Sequence, residues 1–207
     1  MNQKSKKRRK LKSLLIVIWI FFIAAIAAFS IFLYQRKDSV SKDLGITSKF
    51  SYSTNANPEV NALVITYLNA LASADQNTLK SCVTDPTQYD NMTATISRSK
   101  IITMYSSVNC YSVKGYKDDD VIVYAVANIT IANITSTPLD VIPNIYIVKR
   151  NGKYLIDNEI LDKDTQNYVD KVNAEQDIQD IYKMVKEDED SKSAQDPALK
   201  EFMDKLN

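Results

Sequence analysis

Ile145-Tyr146-Ile147-Val148-Lys149-Arg150-Asn151-Gly152-Lys153-Tyr154-Leu155-Ile156 is the stretch whose reading decides the fold. Asn-Gly supplies two consecutive residues that tolerate positive φ, the strongest short-range signal for a two-residue hairpin. Such a turn pairs Arg150 with Lys153, so Lys149 faces Tyr154 and Ile147 faces Ile156. Ile145, Ile147, Tyr154 and Ile156 then share one face, and their apolar character makes it the core face.

Working outward, residues 108–114, 121–134, 139–150 and 153–158 are rich in Val, Ile, Tyr and Thr and read as four antiparallel strands. Gly115 to Asp120 and Ser136-Thr137-Pro138 are the polar loops between them. Ahead of the strands, Asn57-Pro58-Glu59 starts a helix: Asn57 caps it, proline suits the first position, and Glu59 meets the positive helix end. Val60, Leu63, Val64, Tyr67, Leu68 and Leu71 fall on one face at helical spacing, which predicts a helix to about Ala74. Asp75 caps a second, short helix carrying Leu79, Cys82 and Val83, ended by Asp85-Pro86. Residues 87–95 read as irregular and 96–105 as helix. Past Glu159, Tyr168 and Val172, then Ile178, Ile181, Tyr182 and Val185, form narrow apolar stripes on acidic helices. Asp196-Pro197 opens a last helix with Leu199, Phe202, Met203 and Leu206 on one side. The expected class is α+β: a helix on a curved four-stranded antiparallel sheet, then C-terminal helices.

The other end of the chain sets the compartment. Leu14 to Tyr34 runs for twenty-one residues without a charge. At about 1.5 Å per residue such a helix spans the roughly 30 Å core of a bilayer. Lys4, Lys6, Lys7, Arg8, Arg9, Lys10 and Lys12 precede it with no acid among them, which keeps that end cytoplasmic. Ala25-Ile26-Ala27 offers a cleavage-like pattern, but hydrophobicity continues through Leu33, so a retained anchor is expected. No cysteine lies near the anchor, which argues against a lipoprotein. The domain organisation that follows is a basic cytoplasmic tail at 1–12, a transmembrane helix at 13–34 and a linker at 35–57. An extracytoplasmic domain at 58–160 and an acidic helical tail at 161–207 complete it. The location is the plasma membrane, single-pass, with the C-terminal domain outside.

Charge is unevenly spread. Nine of the 26 basic residues precede Asp38, leaving 17 against all 25 acids, a net of −8 in the outward part. That excludes nucleic acid as an expected partner and leaves the lipid bilayer for the basic end. The KKRRK run beside an apolar helix is a topogenic flank rather than a nuclear signal.

The chemistry-bearing residues are few. The chain has no histidine, and Cys82 and Cys110 lack neighbouring ligand types, so no metal site or cofactor is expected. A bridge between the two cysteines would contribute about 3–4 kcal/mol. Without a pairing signature, two separate buried thiols are the favoured reading. Glu187-Asp188-Glu189-Asp190 lacks the glycine turn of a calcium loop and reads as a solvated acidic patch. On the strands the expected interior positions are Val121, Val123, Ala125, Ala127, Ile145, Ile147 and Ile156, none ionisable. Asp140 and Asp157 sit at strand ends, where carboxylates are usually solvated, and Tyr67, Tyr105 and Tyr124 read as core or rim. Tyr67, Leu71, Val123, Ile145, Ile147 and Ile156 are the expected lining of any apolar cavity.

Tyr67-Leu68-Asn69-Ala70-Leu71-Ala72-Ser73-Ala74-Asp75-Gln76-Asn77-Thr78-Leu79 resembles the opening helix pair of the nuclear transport factor 2-like, or cystatin-like, α+β family. Asn151-Gly152-Lys153-Tyr154-Leu155-Ile156 is similar to its glycine-lysine-aromatic hairpin into the last strand. The resemblance covers roughly 58–159 and implies a sheet wrapped around a long helix as a cone. The layout of basic start, anchor, domain and acidic tail ending DPALKEFMDKL also resembles envelope proteins of clostridial Gram-positive bacteria. It implies a fold and a compartment, not a reaction.

Three functions follow as expectations. The preferred one is a non-catalytic, membrane-anchored binding or scaffolding module of the bacterial cell envelope, holding another envelope protein or a small apolar ligand. Its concave sheet or its acidic tail would do the holding, although the tail's narrow apolar stripes suit docking on its own sheet or on a partner, and docking on its own sheet is the favoured reading. The alternative is an inner-membrane assembly component of a type IV secretion or conjugation machine, whose layout the resemblance fits. An enzyme like ketosteroid isomerase or the polyketide cyclases is disfavoured, because such chemistry needs an ionisable group inside the cone.

Overall fold

Asn151 and Gly152 both take left-handed backbone conformations, with φ of 53° and 80°. They close the expected hairpin in the expected register, Arg150 opposite Lys153, Lys149 opposite Tyr154 and Ile147 opposite Ile156. The computed structural model describes residues 51–205. The basic tail, the apolar stretch Leu14 to Tyr34 and Leu206 lie outside the described residues. Among those described, no helix is long and apolar enough to cross a membrane.

The described residues are α+β, with a five-stranded antiparallel sheet and six α-helices among them. The strands are β1 (Ser53–Thr54), β2 (Ile102–Lys114), β3 (Val121–Ile131), β4 (Leu139–Arg150) and β5 (Lys153–Ile156), and they neighbour one another in chain order. The helices are α1 (Pro58–Ser73), α2 (Gln76–Cys82), α3 (Thr93–Ser99), α4 (Lys163–Asn173), α5 (Gln176–Ser193) and α6 (Pro197–Asp204). A 3-10 turn at Pro86–Tyr89 lies between α2 and α3.

Local chemistry sets the helix boundaries. The Asn57 side chain accepts from the N–H groups of Glu59 and Val60, and Asp75, Asp162 and Asp196 do the same for α2, α4 and α6. Helix α1 stops at Ala74, whose left-handed φ of 52° frees its N–H for Leu71 and that of Asp75 for Ala70. Gly115 closes the β2–β3 loop because a Cβ there would stand 2.5 Å from that of Asp120.

Three expectations need correction. The sheet has five strands rather than four, since Ser53–Thr54 inside the expected linker pairs with Tyr111 and Ser112. The helix expected over 96–105 ends at Ser99, and the β-favouring Ile102-Thr103-Met104-Tyr105 opens β2 instead. The segment expected as irregular holds the 3-10 turn and the start of α3, with the Asp85 side chain accepting from Thr87 N–H to begin that turn.

Strand β3 explains the layering. Its residues Val123, Ala125, Ala127, Ile129 and Ile131 belong to one core, and Ile122, Tyr124 and Val126 to another. Alternate residues point to opposite faces, so β3 is buried on both. The first core packs the sheet against Val60, Val64 and Leu68 of α1, with Cys82 of α2 and Leu199 of α6. The second packs it against Val169 and Val172 of α4 and Ile178, Ile181 and Val185 of α5. The acidic tail's apolar stripes therefore dock on the chain's own sheet.

Two strands switch facing part-way along. In β2 the register shifts between Ser106 and Asn109, where Ser107 has a φ of 51°. Tyr105 and Cys110 consequently lie in the same core despite opposite parity. In β4 the shift falls opposite Val123 and Ala125, where Asn144 takes a φ of 55°. Ile145 and Ile147 join the first core, and on the other side of the bulge so does Ile142, while Leu139 and Val141 turn to the second.

Candidate functional site

Asp140 is the residue that the β4 bulge repositions. It stands directly opposite Ala127, a first-core residue, and cross-strand partners share a face. An acid therefore does face the first-core side of the sheet, contrary to the solvated strand end expected of Asp140. Counting by twos from Ile147 and Ile145 places Leu139 and Val141 inside and Asp140 outside; the extra residue reverses all three. The signal was present in Pro143-Asn144, a donorless residue followed by one that tolerates left-handed φ in mid-strand.

Asp140 lines a recess of about 310 Å³ whose apolar residues come from both cores. Ile102 from β2, Ile129 from β3 and Leu139 from β4 form its sheet wall. Val185 of α5 with Phe202 and Met203 of α6 forms the facing wall. Helix α6 reaches this position because α5 is clamped to the β3–β4 loop. Leu139 N–H donates to Asp188 at 2.7 Å, Ser136 N–H to Asp196 at 3.0 Å, and Lys192 Nζ to the Thr137 carbonyl at 2.8 Å.

The polar end carries three charges. Arg98, exposed at the rim, donates from Nη2 to the Tyr105 hydroxyl at 3.1 Å. Asp140 and Glu189 are each partly buried. Burial holds the Asp140 carboxyl above the ordinary 3.8, against the pull of the Arg98 guanidinium and the Val141 backbone N–H. The acidic run of α5 is thus divided. Glu187 and Asp190 are exposed and paired with Lys183 and Lys186, Asp188 clamps the β3–β4 loop, and Glu189 enters the recess. Of the solvated patch expected at 187–190, only the outer two residues keep that character, because a helix turns consecutive side chains to different faces.

The structure does not bring the other polar candidates together. The Tyr67 hydroxyl meets that of Tyr89 at 2.8 Å. Tyr124 lies in the second core, fully buried, and donates to Asn173 at 2.7 Å. Asp157 accepts from Thr84 at 2.8 Å beyond the end of β5. Val123, Ile145, Ile147 and Ile156 are buried in the first core with Tyr67 and Leu71 packed against them, and none of the six lines the recess. Cys82 and Cys110 are buried free thiols; burial pushes Cys110 up to about 11 and raises Cys82 as well. Neither is a ready nucleophile. Among the described residues no cluster of His, Cys, Asp and Glu could hold a metal.

A second, more open recess of about 490 Å³ lies between α1, α2 and the β4–β5 hairpin. Its polar groups, Glu59, Thr66, Ser81 and Lys153, sit around a groove that opens broadly to solvent. The recess at Asp140 is half open but less so than this groove, and its apolar walls with a few polar groups give it the form of a small-molecule site. Compared with known proteins, the chain matches no family model, no curated relative and no solved structure.

Proposed function

We propose that this protein is a membrane-anchored binding module of the bacterial cell envelope, non-catalytic, which holds a small, largely apolar ligand in the recess at Asp140. The observation that carries the reading is where open space is found. The concave face expected to hold a ligand is occupied by Val60, Val64 and Leu68 of α1, and the opposite face by α4 and α5. The half-open recess lies where α6 meets the strand ends, and its walls are Ile, Leu, Val, Phe and Met. The anchor and the outward location rest on the apolar stretch Leu14 to Tyr34 and its basic flank. The order of helix pair, antiparallel strands and hairpin accords with the nuclear transport factor 2-like resemblance.

One observation favours a catalytic reading: a carboxylate held above its ordinary range in an apolar recess. Proton abstraction also needs a donor aimed at the reacting oxygen. The Tyr105 hydroxyl accepts from Arg98 and keeps its own proton to donate, but no tyrosine lines the recess. Binding is therefore preferred over turnover.

Ligand-observed NMR with indole tests the proposal, using the full chain in lipid nanodiscs and empty nanodiscs as the blank. Indole should bind the protein, and Met203→Trp, which fills the recess, should abolish the signal. Equal binding by the filled variant, or none by either, would remove the recess as a site.

A further inference from the structure

We propose that the ligand of this recess is a compact apolar cation, an aromatic or aliphatic body of roughly a dozen non-hydrogen atoms ending in one ammonium group. The inference rests on the recess being the binding site and adds the ligand's chemistry. The size follows from a space of about 310 Å³ filled at the packing density of protein interiors. The apolar body follows from Ile102, Ile129, Phe202 and Met203 on the walls.

The sign of the head group follows from where the charges sit. Asp140 and Glu189 are partly buried in the recess, whereas Arg98 is exposed at its rim, where water screens it. The Arg98 guanidinium also has an acceptor already, the Tyr105 hydroxyl at 3.1 Å. Two partly buried carboxylates, against two exposed and screened cations in Arg98 and, near Glu189, Lys186, leave the less solvated side of the polar end negative, and the outward part of the chain adds a net −8 around it. A carboxylate or phosphate head would meet that field unfavourably. An ammonium would satisfy two acceptors at once while its body covers apolar wall.

Three matched probes test this: 2-phenylethylammonium, 2-phenylethanol and 3-phenylpropanoate. Their affinities are measured by ligand-observed NMR on the full chain in zwitterionic nanodiscs, with empty nanodiscs subtracted. The ammonium should bind at least about tenfold more tightly than the alcohol, as a charge-assisted hydrogen bond implies, and the carboxylate should be weakest. Asp140→Asn should lower ammonium affinity by about tenfold and leave that of the alcohol unchanged. If the alcohol binds as well as the ammonium, or the carboxylate binds best, the cation inference is overturned while the recess stands as a site. Failure of all three probes overturns both. The wild-type ranking decides the matter even if the variant folds poorly, and Glu189→Gln, at a partly buried position of α5, provides a second substitution with the same expected direction.

Discussion

Asp140 and the capping aspartates show opposite signs of one effect. Asp162 accepts from the N–H and hydroxyl of Thr165, and these bonds, with Lys117 nearby, hold it down to about 2. Its contribution to stability is present above the ordinary 3.8 and is lost as pH falls from there through about 2. Asp140 is held above 3.8 by burial, so the folded state binds its proton more tightly than the unfolded chain does. Its contribution is greatest below 3.8 and declines as pH rises from there through the raised value. At neutral pH it is a destabilising residue. Asp140→Asn, which keeps shape and removes the charge, should therefore raise the melting temperature at pH 7, and the gain should vanish below about pH 4. Melting curves across pH check this; an unchanged or lowered melting temperature at pH 7 would show that Asp140 is not held in an unfavourable environment. From sequence, Asp140 could not be distinguished from a solvated strand end, because its setting depends on a backbone irregularity four residues away and on helices far along the chain.

At the scale of elements, the signals that survived into the structure are local. The caps at Asn57, Asp75 and Asp196, the Asn151-Gly152 turn and the 3.6-residue stripe of α1 each depend on residues within a turn of one another. What did not follow from the sequence is non-local. Ser53–Thr54 is a strand only because β2 offers it an edge, and 102–105 joins β2 because β3 pairs with it. Facing within β2 and β4 depends on bulges at Ser107 and Asn144, and a period-2 count passes through both undetected. The end of α1 supplies a test of the local kind. Ala74 carries a Cβ in a left-handed conformation that glycine adopts without steric cost. Ala74→Gly should stabilise the protein by about 0.5–1 kcal/mol, the relieved strain less the extra freedom of glycine in the unfolded chain. Chemical denaturation measures it, and a loss of stability would mean that the Ala74 methyl contributes packing exceeding that strain.

In the whole molecule, the acidic tail is a structural layer rather than an appendage. Val169, Val172, Ile178, Ile181 and Val185 cover Ile122, Tyr124, Val126 and Tyr146, and every one of these is buried. Each aliphatic side chain so buried contributes about 1.5–3 kcal/mol, so together they rival the 5–15 kcal/mol that holds a typical domain folded. Ending the chain after Ile160 should leave a protein that aggregates or fails to melt cooperatively; a soluble, cooperative product would show that the sheet does not need its second layer. The narrow apolar stripes already favoured docking on the chain's own sheet, and the burial of those five side chains bears that out; which acids face water and which face the recess was not legible. The proposal for the whole protein is that this layered domain stands outside the cell, tethered by Leu14 to Tyr34 with the basic end inside. Reporter fusions after Asn207 in a bacterial host measure that directly. An alkaline phosphatase placed there should be active and a cytoplasm-dependent fluorescent protein dark; a bright fluorescent fusion with an inactive phosphatase would contradict the topology and with it the envelope function.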